Sequence, residues 1–181
     1  MANPTPEDHL LDRPVWHSLT GPHAWCAQGV DDARRFHPDI GPLAAPRAFD
    51  ERGLAALAAL VPAEDALFTM EALPHPAPPA IAIRRHAALQ MVAEGSIPAP
   101  SEDRDLLRLG PADASDMLAL ARLTEPGPFG MRTGELGQYW GIRDDGRLIA
   151  MEASGCACRA GPRSAACAPI PIFAGRVMHG C

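Results

Sequence analysis

The stretch Tyr139-Trp-Gly-Ile-Arg-Asp-Asp-Gly-Arg-Leu-Ile-Ala-Met151 decides how the second half of the chain folds. It contains two short, mainly apolar runs, residues 139–143 and 147–151, separated by Asp144-Asp145-Gly146. Glycine supplies the positive φ that a tight turn between antiparallel strands needs. The stretch therefore predicts a β-hairpin.

A strand and a helix are predicted upstream of this hairpin. Residues 106–109 have the pattern of a short strand, and Gly110-Pro111 turns the chain into a helix with Asp113 at its start. The expected buried stripe of the helix consists of Ala114, Met117, Leu118 and Ala121.

This helix is expected to stop at Pro126-Gly127-Pro128, because proline removes a backbone donor. Thr133 is then predicted to cap a second, shorter helix that runs toward Tyr139. The predicted order of the second half is strand, helix, helix, strand, strand.

The first half also mixes helix and strand signals. Residues 50–62 are predicted as a helix, with Asp50 as N-cap, Leu54, Leu57, Ala58 and Val61 on the buried face, and Pro62 as the stop. Residues 66–70 are predicted as a strand. A proline-rich loop and an extended stretch over residues 81–93 follow.

These elements predict an α/β (α+β) protein in several parts. Residues 1–94 form an expected N-terminal α/β subdomain, and residues 95–105, with Pro98 and Pro100 among polar residues, an expected linker. Residues 106–152 carry the strand, helix, helix and hairpin, and residues 153–181 form an irregular tail.

Composition narrows the function classes. The 181 residues carry a formal net charge of −6, which argues against nucleic acid, since phosphate binding depends on clustered basic residues. The sequence contains no run of 18 apolar residues that would predict a membrane span, and its polar N-terminus does not resemble a signal peptide. We therefore expect a cytoplasmic protein with neither a nucleic-acid nor a membrane partner.

The tail differs in kind from the rest of the chain. Four of the five cysteines, Cys156, Cys158, Cys167 and Cys181, lie in it, and acidic residues are absent after Glu152. Zinc ligation is one interpretation, but the spacing lacks the paired C-x2-C of structural zinc sites, so we expect no metal. The second interpretation is that the tail is translated in a wrong reading frame. Arg replaces Lys throughout the chain, which indicates a GC-rich gene, and such a gene has few stop codons in any frame.

Back-translation tests the second interpretation. When triplets start at the third base of each codon, residues 151–164 become G-G-E-R-L-R-L-P-G-W-T-E-V with plausible wobble bases. Residues 166–180 become V-C-T-H-P-D-F-R-G-(P or Q)-G-Y-A-R. The shifted string resembles motif A of the GNAT N-acetyltransferases, in which a strand ends in an R/Q-x-x-G-x-G/A loop that begins a helix. Glycines there let backbone N–H groups approach a pyrophosphate.

The body of the chain resembles the same family without any shift. Strand, two helices and two strands is how GNAT domains begin, and residues 123–143 look like one GNAT subgroup with an extra N-terminal region. Residues 16–23 and 33–40 resemble that region. The resemblance covers residues 14–151.

The resemblance implies transfer of an acetyl group from acetyl-CoA to an amine. In the family a carboxylate or ordered water deprotonates the amine and a backbone N–H polarises the thioester. Those parts and the cofactor loop lie on motif A and beyond, so we assign no catalytic or cofactor-binding residue and expect an inactive chain. The break between the first two helices borders the acceptor, which makes Phe129, Met131, Arg132 and Tyr139 the candidate substrate-binding residues.

Several alternatives stay open. Phe129 and Tyr139 are also explained as core aromatics. The chain could be a non-catalytic binding module whose cysteine-rich tail holds metal or a partner, or a GNAT domain that keeps only its acceptor pocket. The acceptor is a small-molecule amine or a protein amino-terminus, and an exposed sheet edge would promote self-association.

Overall fold

The computed structural model describes residues 10–89 and 106–154. The predicted linker, residues 90–93 of the expected extended stretch and the tail cysteines lie outside these ranges. The described chain is a mixed α/β protein with three α-helices and two three-stranded antiparallel sheets, as predicted. It divides into two compact units. The second contains Asp39–Gly41 together with the described residues from position 106 onward, and the first contains the rest.

The first unit is a small sheet with two helices. Helix α1 spans Pro14–Thr20 and leads through a 3₁₀ turn, Ala24–Cys26, into the sheet. The strands are β1, Ala27–Val30; β2, Ala33–Phe36; and β3, Ala44–Pro46, in the order β1-β2-β3. Sequence patterns predicted neither α1 nor this sheet, because its strands have only three or four residues and are rich in alanine and arginine.

Helix α2, Glu51–Leu60, confirms the helix predicted in the first half. The Asp50 carboxylate accepts a hydrogen bond from the Gly53 N–H at 2.8 Å, as an N-cap should. Leu54 and Leu57 are buried as predicted, whereas Ala58 and Val61 are only half-buried. The chain is extended at Val61, the residue before Pro62. Leu57 packs with Ala33 and Ala44 of the sheet.

The strand predicted at residues 66–70 is wrong. Only Phe68 bridges to Leu43, through hydrogen bonds that join Phe68 to the Pro42 carbonyl and the Ala44 N–H. Pro42 and Pro46 bracket β3 and have no N–H to donate, which limits how far a ladder can extend. Residues 81–89 have no regular secondary structure.

Arg13 ties separate segments of the first unit together. Its guanidinium lies 5.8 Å from the Trp16 ring centroid and 5.1 Å from that of Phe49, and donates to the backbone carbonyls of Arg47 and Pro46. It also donates to Glu71 Oε2 at 2.9 Å.

Glu71 is the buried partner of this guanidinium. Its side chain is 5% exposed, and its Oε1 atom has no hydrogen-bond partner among the described residues. Burial raises the pKa of Glu71 above its ordinary value, although the charge and hydrogen bond of Arg13 lower it.

The second unit is built on a sheet covered by one helix. Strand β4 spans Leu107–Leu109, helix α3 spans Ala114–Thr124, and strands β5, Gln138–Asp144, and β6, Arg147–Ser154, form the hairpin. Sheet order is β4-β5-β6, so β5 is central. The predicted strand, helix and hairpin are confirmed, and β6 continues through Ala153 and Ser154, which pair with β5 although the tail was predicted to start there.

The hairpin turn matches its prediction. Asp145 and Gly146 both have positive φ, 46° and 79°, which is the requirement of a two-residue turn with the twist of antiparallel strands. A register irregularity lies between Ile142 and Arg143.

Helix α3 packs on one face of the sheet. The core cluster consists of Leu109, Met117, Leu120, Ala121, Tyr139, Leu148 and Met151. Met117, Leu118 and Ala121 confirm three of the four predicted stripe residues, whereas Ala114 is only half-buried.

Gly141 lies on this face in the middle of β5. A Cβ built there would lie 2.7 Å from Leu148 Cδ1, 2.9 Å from Leu109 Cδ1 and 2.9 Å from the Ala150 carbonyl oxygen. The side chains of both neighbouring strands therefore close over a position that has no side chain of its own.

Replacement of Gly141 by alanine should destabilise the chain by about 1–3 kcal/mol, because it overpacks a filled core. Gly110→Ala is the matched control: nothing lies within 4 Å of a Cβ at Gly110, so a change within about 0.5 kcal/mol is expected. Urea unfolding of both variants measures the difference. If Gly141→Ala and Gly110→Ala were equally stable, the absence of a side chain at Gly141 would not be needed for packing.

Glu71 predicts a pH dependence of stability. Because its folded-state pKa is raised, the unfolded chain loses this proton first as pH rises, so the stability due to Glu71 is present below about pH 4.5 and is lost as pH rises through the folded pKa. The free energy of unfolding of the parent chain relative to Glu71→Gln should therefore fall as pH rises above about 4.5.

Urea midpoints of the two chains between about pH 4 and 8 measure this difference. Glu64→Gln, at an exposed position, is the matched control for the Glu-to-Gln substitution itself. A parent chain that gains stability over Glu71→Gln with rising pH would contradict the raised pKa.

Candidate functional site

The candidate acceptor site is the connection between α3 and β5. Helix α3 ends at Thr124, and Glu125 takes a left-handed conformation, φ 47°, in which its N–H donates to the Ala121 carbonyl at 2.8 Å. Pro126, Gly127 and Pro128 then prevent the helix from continuing, as predicted.

The second helix predicted to start at Thr133 is only a 3₁₀ turn, Thr133–Leu136. Thr133 lies inside this turn and does not cap it. Gly134 lies in the turn and Gly137 follows it, and glycine destabilises a helix interior, so the segment does not form a regular α-helix.

Two of the predicted site residues contact each other. The rings of Phe129 and Tyr139 meet edge to face, with centroids 6.1 Å apart and an interplanar angle of 89°. Tyr139 is 6% exposed and belongs to the core of the second unit, and Phe129 packs against that core. Packing explains the position of both rings, and Phe129 is half-buried, so part of its ring stays exposed.

The other two predicted residues are more exposed. Met131 is 49% exposed. Arg132 donates from Nε to Glu135 Oε1 and from Nη2 to Glu135 Oε2, both at 2.8 Å, and their side chains are 37% and 41% exposed. The guanidinium and the carboxylate therefore present a charged pair beside Met131.

The segment Asp39–Gly41 lies against this loop inside the second unit. The Asp39 carbonyl accepts from the Arg132 N–H at 2.8 Å, and the Ile40 carbonyl accepts from Thr133 Oγ1 at 2.5 Å. Thr133 Oγ1 in turn accepts from the Gly130 N–H at 2.7 Å. Thr133 and Ile40 are buried.

Gly130 makes this approach possible. A Cβ built at Gly130 would lie 2.1 Å from the Asp39 carbonyl oxygen and 2.6 Å from its carbonyl carbon, so only glycine fits between the loop and the segment. Sequence reasoning missed these contacts. The one local signal was the spacing of Gly130 and Thr133, whereas the partner Ile40 is 93 residues from Thr133.

A charged cluster fixes the start of α3 in the same unit. Arg143 of β5 donates to Asp113 Oδ1 at 2.6 Å and lies 2.7 Å from Asp116 Oδ2. The Gly110 N–H and the Arg143 guanidinium lower the pKa of Asp113. Arg143 therefore contacts both carboxylates, and this cluster anchors the start of the helix to the hairpin.

Strand β6 is the last described element of the second unit. The second unit contains β4, α3, β5 and β6, and in the described chain no strand followed by a glycine-rich loop and a helix comes after β6. Over residues 10–89 and 106–154 no group of three His, Cys, Asp or Glu side chains is placed to hold a metal ion. His23 instead hydrogen-bonds Ser18 Oγ through Nδ1 at 2.8 Å.

No helix in the described ranges is long and apolar enough to cross a membrane.

A solved structure has the same fold. A crystal structure from Novosphingobium aromaticivorans DSM 12444, described as an acetyltransferase of the GNAT family, is 40% identical and superposes with a TM-score of 0.73. The match covers 81% of this chain and 65% of the other, so the chain spans less than two thirds of that protein's length. The fold of the chain is therefore GNAT-like, and this similarity supports its assignment to the GNAT superfamily. No protein-family model and no curated protein matches the chain.

Proposed function

We propose that the chain carries the opening elements of a GNAT N-acetyltransferase, of the subgroup with an extra N-terminal region, which transfers an acetyl group from acetyl-CoA to an amine. One observation carries this proposal: β4, α3, the Thr133–Leu136 turn, β5 and β6 follow the strand, helix, helix, strand, strand order in which GNAT domains begin, with the second helix reduced to that 3₁₀ turn. The GNAT-family protein at 40% identity supports it.

The loop between α3 and β5 is the proposed acceptor side. Phe129, Met131, Arg132 and Tyr139 are the proposed substrate-binding residues. An exposed thioether, the edge of an aromatic ring and a charged pair suit an acceptor with an apolar body and a polar end. A small-molecule amine and a protein amino-terminus both have this character.

The cofactor loop is proposed to be encoded in the shifted frame. Read from the third base of each codon, with plausible wobble bases, residues 166–180 give the glycine-rich loop of motif A on the C-terminal side of the β-hairpin, where a GNAT domain has its next strand and loop. In the frame as given, the chain is proposed to lack the acetyl-CoA site and to be inactive.

The remaining proposals follow from charge and composition. A net charge of −6 does not favour nucleic acid, and we assign no membrane partner. We place the protein in the cytoplasm.

The frame proposal predicts that the chain as given does not bind acetyl-CoA. Calorimetric titration should show no saturable heat up to about 1 mM acetyl-CoA, whereas the product of the frame-restored gene should bind in the micromolar range, roughly 6–8 kcal/mol of binding free energy. Saturable binding of acetyl-CoA by the given chain would contradict the proposal.

Zinc analysis of the same preparation separates the rival interpretation. In its metal-binding form the binding-module hypothesis requires stoichiometric zinc on the tail cysteines, whereas the frame proposal requires none.

The free edge of β6 predicts self-association. Within the described chain β6 pairs only with β5, and an unpaired strand edge is a template for a second chain. Sedimentation of the purified chain should show association that grows with concentration. A monodisperse monomer that melts cooperatively would contradict this prediction.

A further inference from the structure

We infer that Asp39–Gly41 is a strap that positions the acceptor loop, and that Thr133 and Gly130 are positioning residues for acceptor binding. The inference rests on the proposed acceptor role of the loop. It adds a part of the extra N-terminal region to the acceptor site.

The strap contacts the loop at three successive points. The Arg132 N–H donates to the Asp39 carbonyl, and the Thr133 hydroxyl donates to the Ile40 carbonyl. Gly130 lies in close contact with the Asp39 carbonyl. These contacts bracket Met131. The two carbonyls of the strap therefore set the backbone on both sides of the most exposed candidate residue.

The Thr133 hydroxyl joins the strap to the loop. It accepts from the Gly130 N–H while it donates to the Ile40 carbonyl, so a single buried oxygen satisfies one donor of the loop and one acceptor of the strap. Loss of the hydroxyl would leave the buried Ile40 carbonyl and the partly buried Gly130 N–H without that partner, which is more costly than loss of an exposed hydrogen bond.

The loop has little regular secondary structure of its own, although Phe129 packs against the core of the unit. Pro126, Gly127 and Pro128 end α3, and the Thr133–Leu136 turn is a single 3₁₀ turn without a side-chain cap. A loop with so little helical support has many conformations unless it is held from outside. The strap supplies that restraint and so defines where Phe129 and Met131 meet an acceptor.

The test compares Thr133→Val, which keeps the shape and removes the hydroxyl, with Thr133→Ser, which keeps the hydroxyl. Thr124→Val is the matched control, because Thr124 Oγ1 donates to the Leu120 carbonyl at 2.9 Å within α3 of the same unit. The probe is 2-phenylethylamine, a primary amine with an apolar ring that suits Phe129 and Met131.

Two measurements on the full chain separate restraint of the loop from binding of the amine. Hydrogen exchange of amides 129–133 should quicken about tenfold or more in Thr133→Val, because the loop opens more often. The dissociation constant of 2-phenylethylamine, measured by NMR titration, should rise about tenfold. Thr133→Ser and Thr124→Val should stay within about twofold of the parent chain in both readouts.

Each contrary outcome has its own meaning. Unchanged hydrogen exchange of the loop amides in Thr133→Val would overturn the inference that Asp39–Gly41 restrains the loop. Faster exchange with unchanged amine affinity would overturn the positioning role while leaving the acceptor site in place. A parent chain that does not bind the amine at all would overturn the proposed acceptor function, and the positioning role with it.

Discussion

The absence of a side chain at Gly141 is the constraint on which the packing of the second unit depends. Leu109 of β4 and Leu148 of β6 both reach over the central strand at this point, because β5 has no side chain there. The face they form is the one that α3 covers, through Met117, Leu120 and Ala121. The hairpin and helix are thus held by packing around Gly141, which has no Cβ, and the end of α3 that leads into the loop before β5 takes its position from that packing.

Local signals predicted much of both units. The Asp145-Gly146 turn, the Pro126-Gly127-Pro128 stop and the Asp50 cap each act within a few residues, so composition and spacing were enough to locate them. The failures have equally physical causes. A helix expected after Thr133 is limited to one 3₁₀ turn beside Gly134 and Gly137, and the strand expected at residues 66–70 is limited to one bridge beside proline-bounded β3.

The parts that sequence could not predict depend on contacts between distant segments. Thr133 finds its partner in Ile40, and Arg13 gathers Trp16, Phe49 and Glu71 from separate segments of the first unit. No periodicity encodes such pairs. For the candidate site the sequence indicated Phe129, Met131, Arg132 and Tyr139 through a family resemblance, but the strap that restrains the loop became visible only in three dimensions.

The central claim is that a GNAT domain continues beyond β6 in another reading frame. Sequencing of the gene across the codons for Ala150 to Cys181, and on past the stop codon, tests it most directly. The account predicts that the shifted frame stays open and encodes the motif A strand, its glycine-rich loop and the rest of a GNAT domain. Confirmation of the given frame, with nothing GNAT-like downstream in any frame, would contradict it.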